Sequence, residues 1–171
     1  MTRGEAISPQ MRKIWAPWRK KFITHGKPKG CIFCQKPRSK NDAKNYLLKR
    51  SRTVFTMLNL YPYNNGHLLI SPYRHVTDFA GLRDDEAHEM MEEIRFATQL
   101  LRKKLKAKGF NIGANIGVGG ASFNHLHFHI VPRWHGDTNF MPVIAGEKVI
   151  SDSLDGLYAL LKPLMGTWKT K

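Results

Sequence analysis

The chain has 171 residues, which is enough for one domain with its own hydrophobic core and short for two. An apolar content of 42% is ordinary for a globular protein, and no run approaches the ~18 apolar residues of a membrane-spanning helix. The opening residues, MTRGEAISPQ, lack the apolar core of a secretory signal, so we expect a cytoplasmic protein that does not enter a membrane.

Positive charge dominates the composition. The formal net charge is +15, and Asp42 is the only acid between Arg12 and Arg52, so residues 1–30 are predicted to form a basic N-terminal extension. Such a field attracts polyanions, which include nucleic acid, anionic lipid and small substrates with several phosphates. A basic surface that only keeps the protein soluble fits equally well, so charge indicates the sign of a partner and not its identity.

The first half of the chain predicts an antiparallel hairpin. CQKPRSKNDAKN (34–45) is rich in charge and helix breakers and predicts a loop, and YLLKRSRTVFTMLN (46–59) predicts two short strands or one irregular strand. YPYNNG (61–66) then predicts a turn, and HLLISP (67–72) a buried strand that stops at Pro72.

Residues 82–109 predict one long helix. Acids crowd its first turns and Lys and Arg its last, which suits the helix dipole, and Gly109 stands where a C-terminal cap belongs. Apolar residues recur at helical spacing and predict one core-facing side. That side comprises Ala87, Met90, Met91, Ile94, Ala97, Leu101 and Leu105.

The second half predicts two more strands and a short helix. FNIGANIGVGGASF (110–123) reads as a strand that enters a glycine-rich loop, and HLHFHIVP (125–132) as another strand. SLDGLYALLKPLM (153–165) predicts a helix that is interrupted at Gly156 and ends near Pro163. Strands around one long helix, without βαβ alternation, predict an α+β domain: an antiparallel sheet packed against that helix, with a C-terminal helical segment (151–171) on the same domain.

Three histidines at alternate positions carry the main functional signal. In a strand, His125, His127 and His129 would share one face at a spacing of roughly 6.6–6.8 Å. One histidine is readily explained as a buried core residue, but a row of three is not. The opposite face would take Leu126, Phe128 and Ile130.

Two kinds of chemistry suit this row. A metal would take one of the three histidines and recruit partners elsewhere, because the outer two lie roughly 13 Å apart in a strand. Alternatively, a neutral imidazole attacks phosphorus while its neighbour assists the leaving group near pH 7. The upstream loop supports the second chemistry, since its backbone N–H groups would approach phosphate oxygens at Gly117, Gly119, Gly120 and Ser122.

Cys31 and Cys34 form C-x-x-C and are the only cysteines. A redox pair, a disulfide of a secreted protein and half of a zinc site are the alternatives. The following residues are a poor helix, which disfavours a thioredoxin-like redox motif. A zinc site would need about two more ligands from distant parts of the chain.

HLHFHIV matches the histidine-triad signature, in which three histidines alternate with apolar residues, and LNLYPYNNGHLLISPYRHV resembles the second conserved block of that superfamily. The likeness extends from about Cys31 to Trp134, and the flanks IWAPWR, CIFC, PRW and GDTNFMPVIAGEKVI resemble the bacterial branch that includes diadenosine tetraphosphate hydrolases and phosphorylases. The resemblance implies a histidine-triad domain over residues 31–150.

The resemblance implies catalytic roles for two histidines. His127 would be the nucleophile that attacks the α-phosphorus and carries the nucleotidyl group, and His129 would contact the α-phosphate and assist the leaving group. His125 would orient them from behind.

Nucleotide contacts and metal ligands follow from the same resemblance. Asn59 would meet the ribose, His67 would lie near the site, and Asn115 and Ser122 would meet the phosphates. A structural zinc ion is implied and no organic cofactor. Its ligands would be Cys31, Cys34, His75 and His125.

The resulting hypothesis is a nucleotidyl hydrolase or transferase that cleaves dinucleoside polyphosphates at the α-phosphate through a nucleotidyl-histidine intermediate. Diadenosine tetraphosphate is the expected substrate, and the family resemblance implies a homodimer. A nucleoside phosphoramidase is the neighbouring alternative. A non-catalytic nucleotide- or RNA-binding module is the alternative of another class, and the basic charge is compatible with nucleic acid.

Overall fold

The computed structural model of the chain describes residues 30–117, 124–137 and 150–166. Within these ranges, a short 3-10 turn (Lys36–Arg38) follows the first helix. The strands are β1 (Leu47–Arg50), β2 (Val54–Leu58), β3 (Leu68–Pro72), β4 (Gly109–Ala114) and β5 (Phe128–Arg133), and the helices are α1 (Ile32–Gln35), α2 (Asp42–Asn45), α3 (Asp84–Leu105) and α4 (Leu154–Met165).

All five strands pair antiparallel in one sheet, in the order β1-β2-β3-β5-β4. The predicted α+β class and the β2–β3 hairpin are therefore confirmed, with Val54 opposite Pro72 and Leu58 opposite Leu68. Strand β5 enters between β3 and β4, so Leu69 lies opposite His129 and Gly113 lies on its other side. This pairing places the end of the hairpin connection, at His67, beside the histidine segment.

The two faces of the sheet are covered differently. Because side chains alternate along a strand, Leu68 and Ile70 face one side and Leu69 the other. The first side packs against α3 and α4 in the main core. The second side packs against α1 in a smaller cluster, which comprises Phe33, Leu47, Phe55, Met57 and Leu69.

The long helix differs from its prediction at its C-terminal end and on its buried face. It ends at Leu105 with Lys106 as a left-handed cap, whereas Gly109 begins β4. Met91 is 60% exposed, so its assignment to the core-facing side was wrong. Phe96 and Leu100, which the predicted face omitted, are buried because the sheet covers a wider side of the helix than a narrow apolar stripe.

The C-terminal helix α4 is continuous, so the predicted interruption at Gly156 was wrong. Gly156 lies in the first turn, where its backbone N–H donates to the capping Ser153 hydroxyl at 3.0 Å, and Pro163 lies inside the last turns. Leu157 and Leu161 belong to the main core, which packs this helix on the same sheet. The proposed division into extension, domain and C-terminal segment stays a prediction, since residues 1–29 lie outside the described ranges.

The stretch 34–45 is more helical than the loop that its composition predicted. It contains the end of α1, the 3-10 turn and α2, each only one turn long. Asn41 caps α2 by accepting a hydrogen bond from the Lys44 backbone N–H at 3.0 Å. Among the helices in the described ranges, none is long and apolar enough to cross a membrane.

Candidate active site and metal centre

The segment that carries the histidines is not a continuous strand. Strand β5 begins only at Phe128, so the prediction of one strand from His125 onward was wrong for its first three residues. Backbone groups of this segment are satisfied by other partners: the Leu126 N–H donates to the Val76 carbonyl at 2.6 Å, and the Ser71 hydroxyl donates to the Leu126 carbonyl at 3.0 Å. This break separates the three histidines into two sites.

His127 is held by a hydrogen bond and a ring contact. Its Nδ1 lies 2.6 Å from the His125 carbonyl oxygen, and its ring stacks on Phe33 with centroids 4.4 Å apart and an interplanar angle of 25°. Since a carbonyl oxygen only accepts, Nδ1 of His127 carries the proton. Nε2 of the neutral ring therefore presents a lone pair, which is the form that a nucleophile needs.

His67 gives His129 the opposite tautomer to that of His127. The backbone N–H of Tyr63 donates to Nδ1 of His67 at 3.1 Å, so the neutral His67 ring carries its proton on Nε2. That Nε2 lies 2.9 Å from Nδ1 of His129, which therefore accepts. The proton of neutral His129 is consequently on Nε2, a buried atom with no hydrogen-bond partner within the described ranges.

Burial keeps these imidazoles neutral. It lowers the pKa of His67 to about 3 and, together with neighbouring His127, lowers the pKa of His129 to about 4. The pKa of His127 is also lowered by burial, against the hydrogen bond to the His125 carbonyl. Neutral rings are what the tautomer assignments and a nucleophilic nitrogen both require, and the ring centroids of His127 and His129 lie only 4.9 Å apart.

His125 turns away from this pair toward the two cysteines. Its Nε2 lies 3.1 Å from the Pro72 carbonyl oxygen and donates to it, which leaves Nδ1 unprotonated. Nδ1 lies 3.2 Å from Cys31 Sγ and 3.5 Å from Cys34 Sγ, while Nδ1 of His75 lies 3.4 Å from Cys34 Sγ. The four residues that sequence resemblance grouped as metal ligands are therefore together.

The donor set fits a tetrahedral metal ion. One ligand atom from each of the four residues lies within 4.8 Å of the other three, and Zn–S and Zn–N bonds of about 2.3 and 2.0–2.1 Å require ligand separations of about 3.4–3.8 Å. The hydrogen bond from His125 to the Pro72 carbonyl is the kind of outer contact that fixes a ligating imidazole. Both cysteines are free thiols, so these residues could hold a metal.

Of the remaining predicted contacts, those within the described ranges lie beside His67 or just after β4. Asn59 lies next to His67, with its Nδ2 3.3 Å from Nδ1 of that ring. Asn115 and Gly117 are exposed just after β4, whose last residue pairs with Phe128. Gly119, Gly120 and Ser122 lie outside the described residues.

Two aromatic residues of the site were missed by sequence reasoning. Phe33 is 1% exposed beneath His127, and Tyr63 lies beside His67 and stacks on His129 at 5.7 Å and 16°. Phe33 stands inside the C-x-x-C motif and Tyr63 inside the turn before His67, so their proximity in sequence to predicted site residues was the available signal.

Comparison with known proteins shows the family. The HIT domain matches residues 40–136, which is more than half of the chain. This chain belongs to the HIT family.

Individual relatives agree with this assignment. The chain is 35% identical over 170 residues to an AP-4-A phosphorylase of Mycobacterium tuberculosis, across 93% of this chain and 87% of that protein. It is 37% identical over 108 residues to an uncharacterized HIT-like protein of Methanocaldococcus jannaschii, across 63% of this chain and 81% of the relative. A Zn-bound histidine triad family protein of Mycobacterium smegmatis has a similar fold, with a TM-score of 0.64 and 21% identity over 80% of this chain and 94% of that chain.

The depressed pKa of His67 predicts a pH dependence of stability. Its folded pKa of about 3 lies below the unfolded value of about 6.5, so the unfolded chain binds the proton first as pH falls. The contribution to the free energy of unfolding is complete above about pH 6.5 and declines below it. Between pH 7.5 and 5, urea unfolding of the wild type should lose about 2 kcal/mol more than His67→Asn does.

His88→Asn is the matched control, since His88 is exposed on α3. This variant should keep the full wild-type dependence on pH. Equal pH dependence in His67→Asn and the wild type would show that His67 is not held neutral by the fold.

Proposed function

We propose that this protein cleaves dinucleoside polyphosphates, with diadenosine tetraphosphate as the preferred substrate, at the α-phosphate through a nucleotidyl-His127 intermediate. The observation that carries this proposal is that two neighbouring imidazoles are opposite tautomers. Nε2 of His127 presents a lone pair, while Nε2 of His129 presents a buried N–H without a partner in the described ranges.

The first half of the reaction follows from these two nitrogens. The His127 lone pair attacks the α-phosphorus and forms a P–N bond, while the bond from that phosphorus to the bridging oxygen breaks. The His129 N–H donates to the phosphate oxygens and to the leaving oxygen as negative charge develops there. The anionic substrate would raise the low pKa of His129, because a nearby negative charge favours the protonated ring.

The second half releases the nucleotide from His127. Inorganic phosphate or water attacks the phosphorus, the P–N bond breaks, and the His127 lone pair is restored. With diadenosine tetraphosphate the leaving group is ATP, and the other product is ADP with phosphate or AMP with water. The similarity to the M. tuberculosis AP-4-A phosphorylase over nearly the whole chain favours phosphate as the acceptor.

Electrostatics support a polyphosphate substrate. The net charge of +15 attracts a polyanion from a distance, whereas the site itself contains neutral imidazoles. Long-range attraction and local chemistry are therefore supplied by different groups.

Product analysis tests the reaction directly. With diadenosine tetraphosphate and inorganic phosphate we expect ADP and ATP, and without phosphate we expect little loss of substrate. Phosphate-independent formation of AMP and ATP would identify a hydrolase.

His127→Ala should lower turnover by at least about three orders of magnitude, because the nucleophile is lost.

His88→Ala is the matched control and should turn over like the wild type. Turnover by His127→Ala at the wild-type rate would exclude His127 as the nucleophile. Cleavage of adenosine phosphoramidate in preference to the dinucleotide would favour the phosphoramidase alternative. Nucleotide binding without cleavage of either substrate would favour a binding module.

We also propose that Cys31, Cys34, His75 and His125 bind a structural zinc ion. The support is the donor set, the convergence of the four ligand atoms, and the hydrogen bond that leaves Nδ1 of His125 unprotonated. Thiols that serve as ligands must be reduced, so this proposal agrees with a cytoplasmic location, which fractionation of producing cells would test.

Metal analysis tests the zinc proposal. The purified wild type should contain near-stoichiometric zinc, whereas Cys31→Ser and His75→Gln should each lose most of it, because the three ligands that remain bind zinc weakly. His88→Gln is the control for a surface histidine and should keep its zinc. Unchanged zinc in both ligand variants would exclude the assignment.

A homodimer is the final part of the proposal. Strand β4 is an outer strand of the described sheet, and Ile112 on it is 44% exposed. Ile112→Lys should therefore convert a dimer into a monomer in light scattering. Leu160→Lys, at a similarly exposed apolar position on α4, should leave the mass unchanged. A monomeric wild type would contradict the proposal.

A further inference from the structure

Phe33 links the cysteine pair to the proposed nucleophile. It stands between Cys31 and Cys34 in α1, is 1% exposed, and stacks on the His127 ring at 4.4 Å and 25°. The same ring lies 5.4 Å from the His125 ring at an angle of 45°. One side chain therefore contacts both the histidine that faces the cysteines and the histidine that faces the substrate.

His127 needs a second constraint besides its hydrogen bond. The χ2 torsion of histidine has a broad energy profile, so the ring plane is set by its surroundings. The bond from Nδ1 to the His125 carbonyl holds only one atom at the edge of the ring, so without a contact on its face the ring can tilt and weaken that bond. The flat, buried ring of Phe33 packs against one face of His127, which removes this freedom and fixes the direction of the Nε2 lone pair.

We propose that Phe33 is a positioning residue, which holds His127 against the His125 carbonyl and makes the direction of the Nε2 lone pair depend on the Cys31–Cys34 turn. This inference rests on the proposed function only for its effect on catalysis. The sulfur atoms of Cys31 and Cys34 contact His125 and His75. Because Phe33 lies between the two cysteines, an ordered arrangement of these four side chains also orders Phe33.

A residue of the same small cluster separates positioning from ordinary core packing. Phe55 is fully buried in the cluster that contains Phe33, and its ring packs on Tyr73 at 5.4 Å. Its substitution removes a similar aromatic volume from the same side of the sheet. Phe55→Leu is therefore the matched control for Phe33→Leu.

Steady-state kinetics are the first measurement. In zinc-loaded protein with diadenosine tetraphosphate and phosphate, Phe33→Leu should lower kcat about 10–100-fold with KM within about twofold, because a misdirected nucleophile affects the chemical step. Phe55→Leu should keep kcat within about twofold despite a comparable decrease in melting temperature. Equal losses of kcat in the two variants, or none in either, would overturn the proposal.

Nitrogen NMR of the histidines is the second measurement and needs no substrate. At pH 8, wild-type His127 should be the Nδ1–H tautomer, Phe33→Leu should show a mixture of both tautomers, and Phe55→Leu should match the wild type. Cys31→Ser should give the same mixture as Phe33→Leu. A single Nδ1–H tautomer in Phe33→Leu would overturn the inference.

These results remain interpretable if the enzymatic proposal fails, because the tautomer is read in the absence of turnover. Phe33→Met, which keeps most of the side-chain volume and loses the flat ring, replaces Phe33→Leu if that variant does not fold. The same tautomer mixture is expected, and a single Nδ1–H tautomer would again contradict the positioning role.

Discussion

The site depends on the hydrogen bond between Nδ1 of His127 and the carbonyl oxygen of His125. That carbonyl is available because β5 begins only at Phe128, so it is not part of the ladder with β3. A regular strand would point both side chains to one face and both carbonyls toward neighbouring strands. The break before β5 is therefore what sends His125 to the cysteines and leaves its carbonyl to fix the proton of His127.

Two backbone groups fix the tautomers of His67, His127 and His129. The Tyr63 N–H can only donate and the His125 carbonyl can only accept, and neither changes protonation near neutral pH. Through neutral rings, these fixed groups produce a lone pair on one Nε2 and a proton on the other. Burial maintains the arrangement because it penalises the charged form of each imidazole by more than a water-exposed surface would.

The sequence predicted those features that depend on local pattern. The hairpin followed from the turn signal YPYNNG between two apolar segments, and the long helix from its charge order and spacing. Three features could not be predicted, because each depends on which surface the sheet covers. They are the exposure of Met91, the cap at Lys106 and the late start of β5. The contact between Phe33 and His127 could not be predicted for the same reason, since only the fold brings the cysteine turn beneath His127.

The alternating histidines serve two sites because one of them contributes its side chain to one site and its backbone to the other. The imidazole of His125 faces Cys31 and Cys34, while its carbonyl holds His127. Substitution of His125 removes the imidazole that faces the cysteines but leaves the carbonyl in the chain, so the tautomer of His127 does not depend on that side chain directly. The His125 side chain instead positions its own backbone, so that the His125 carbonyl lies within hydrogen-bond distance of the His127 ring.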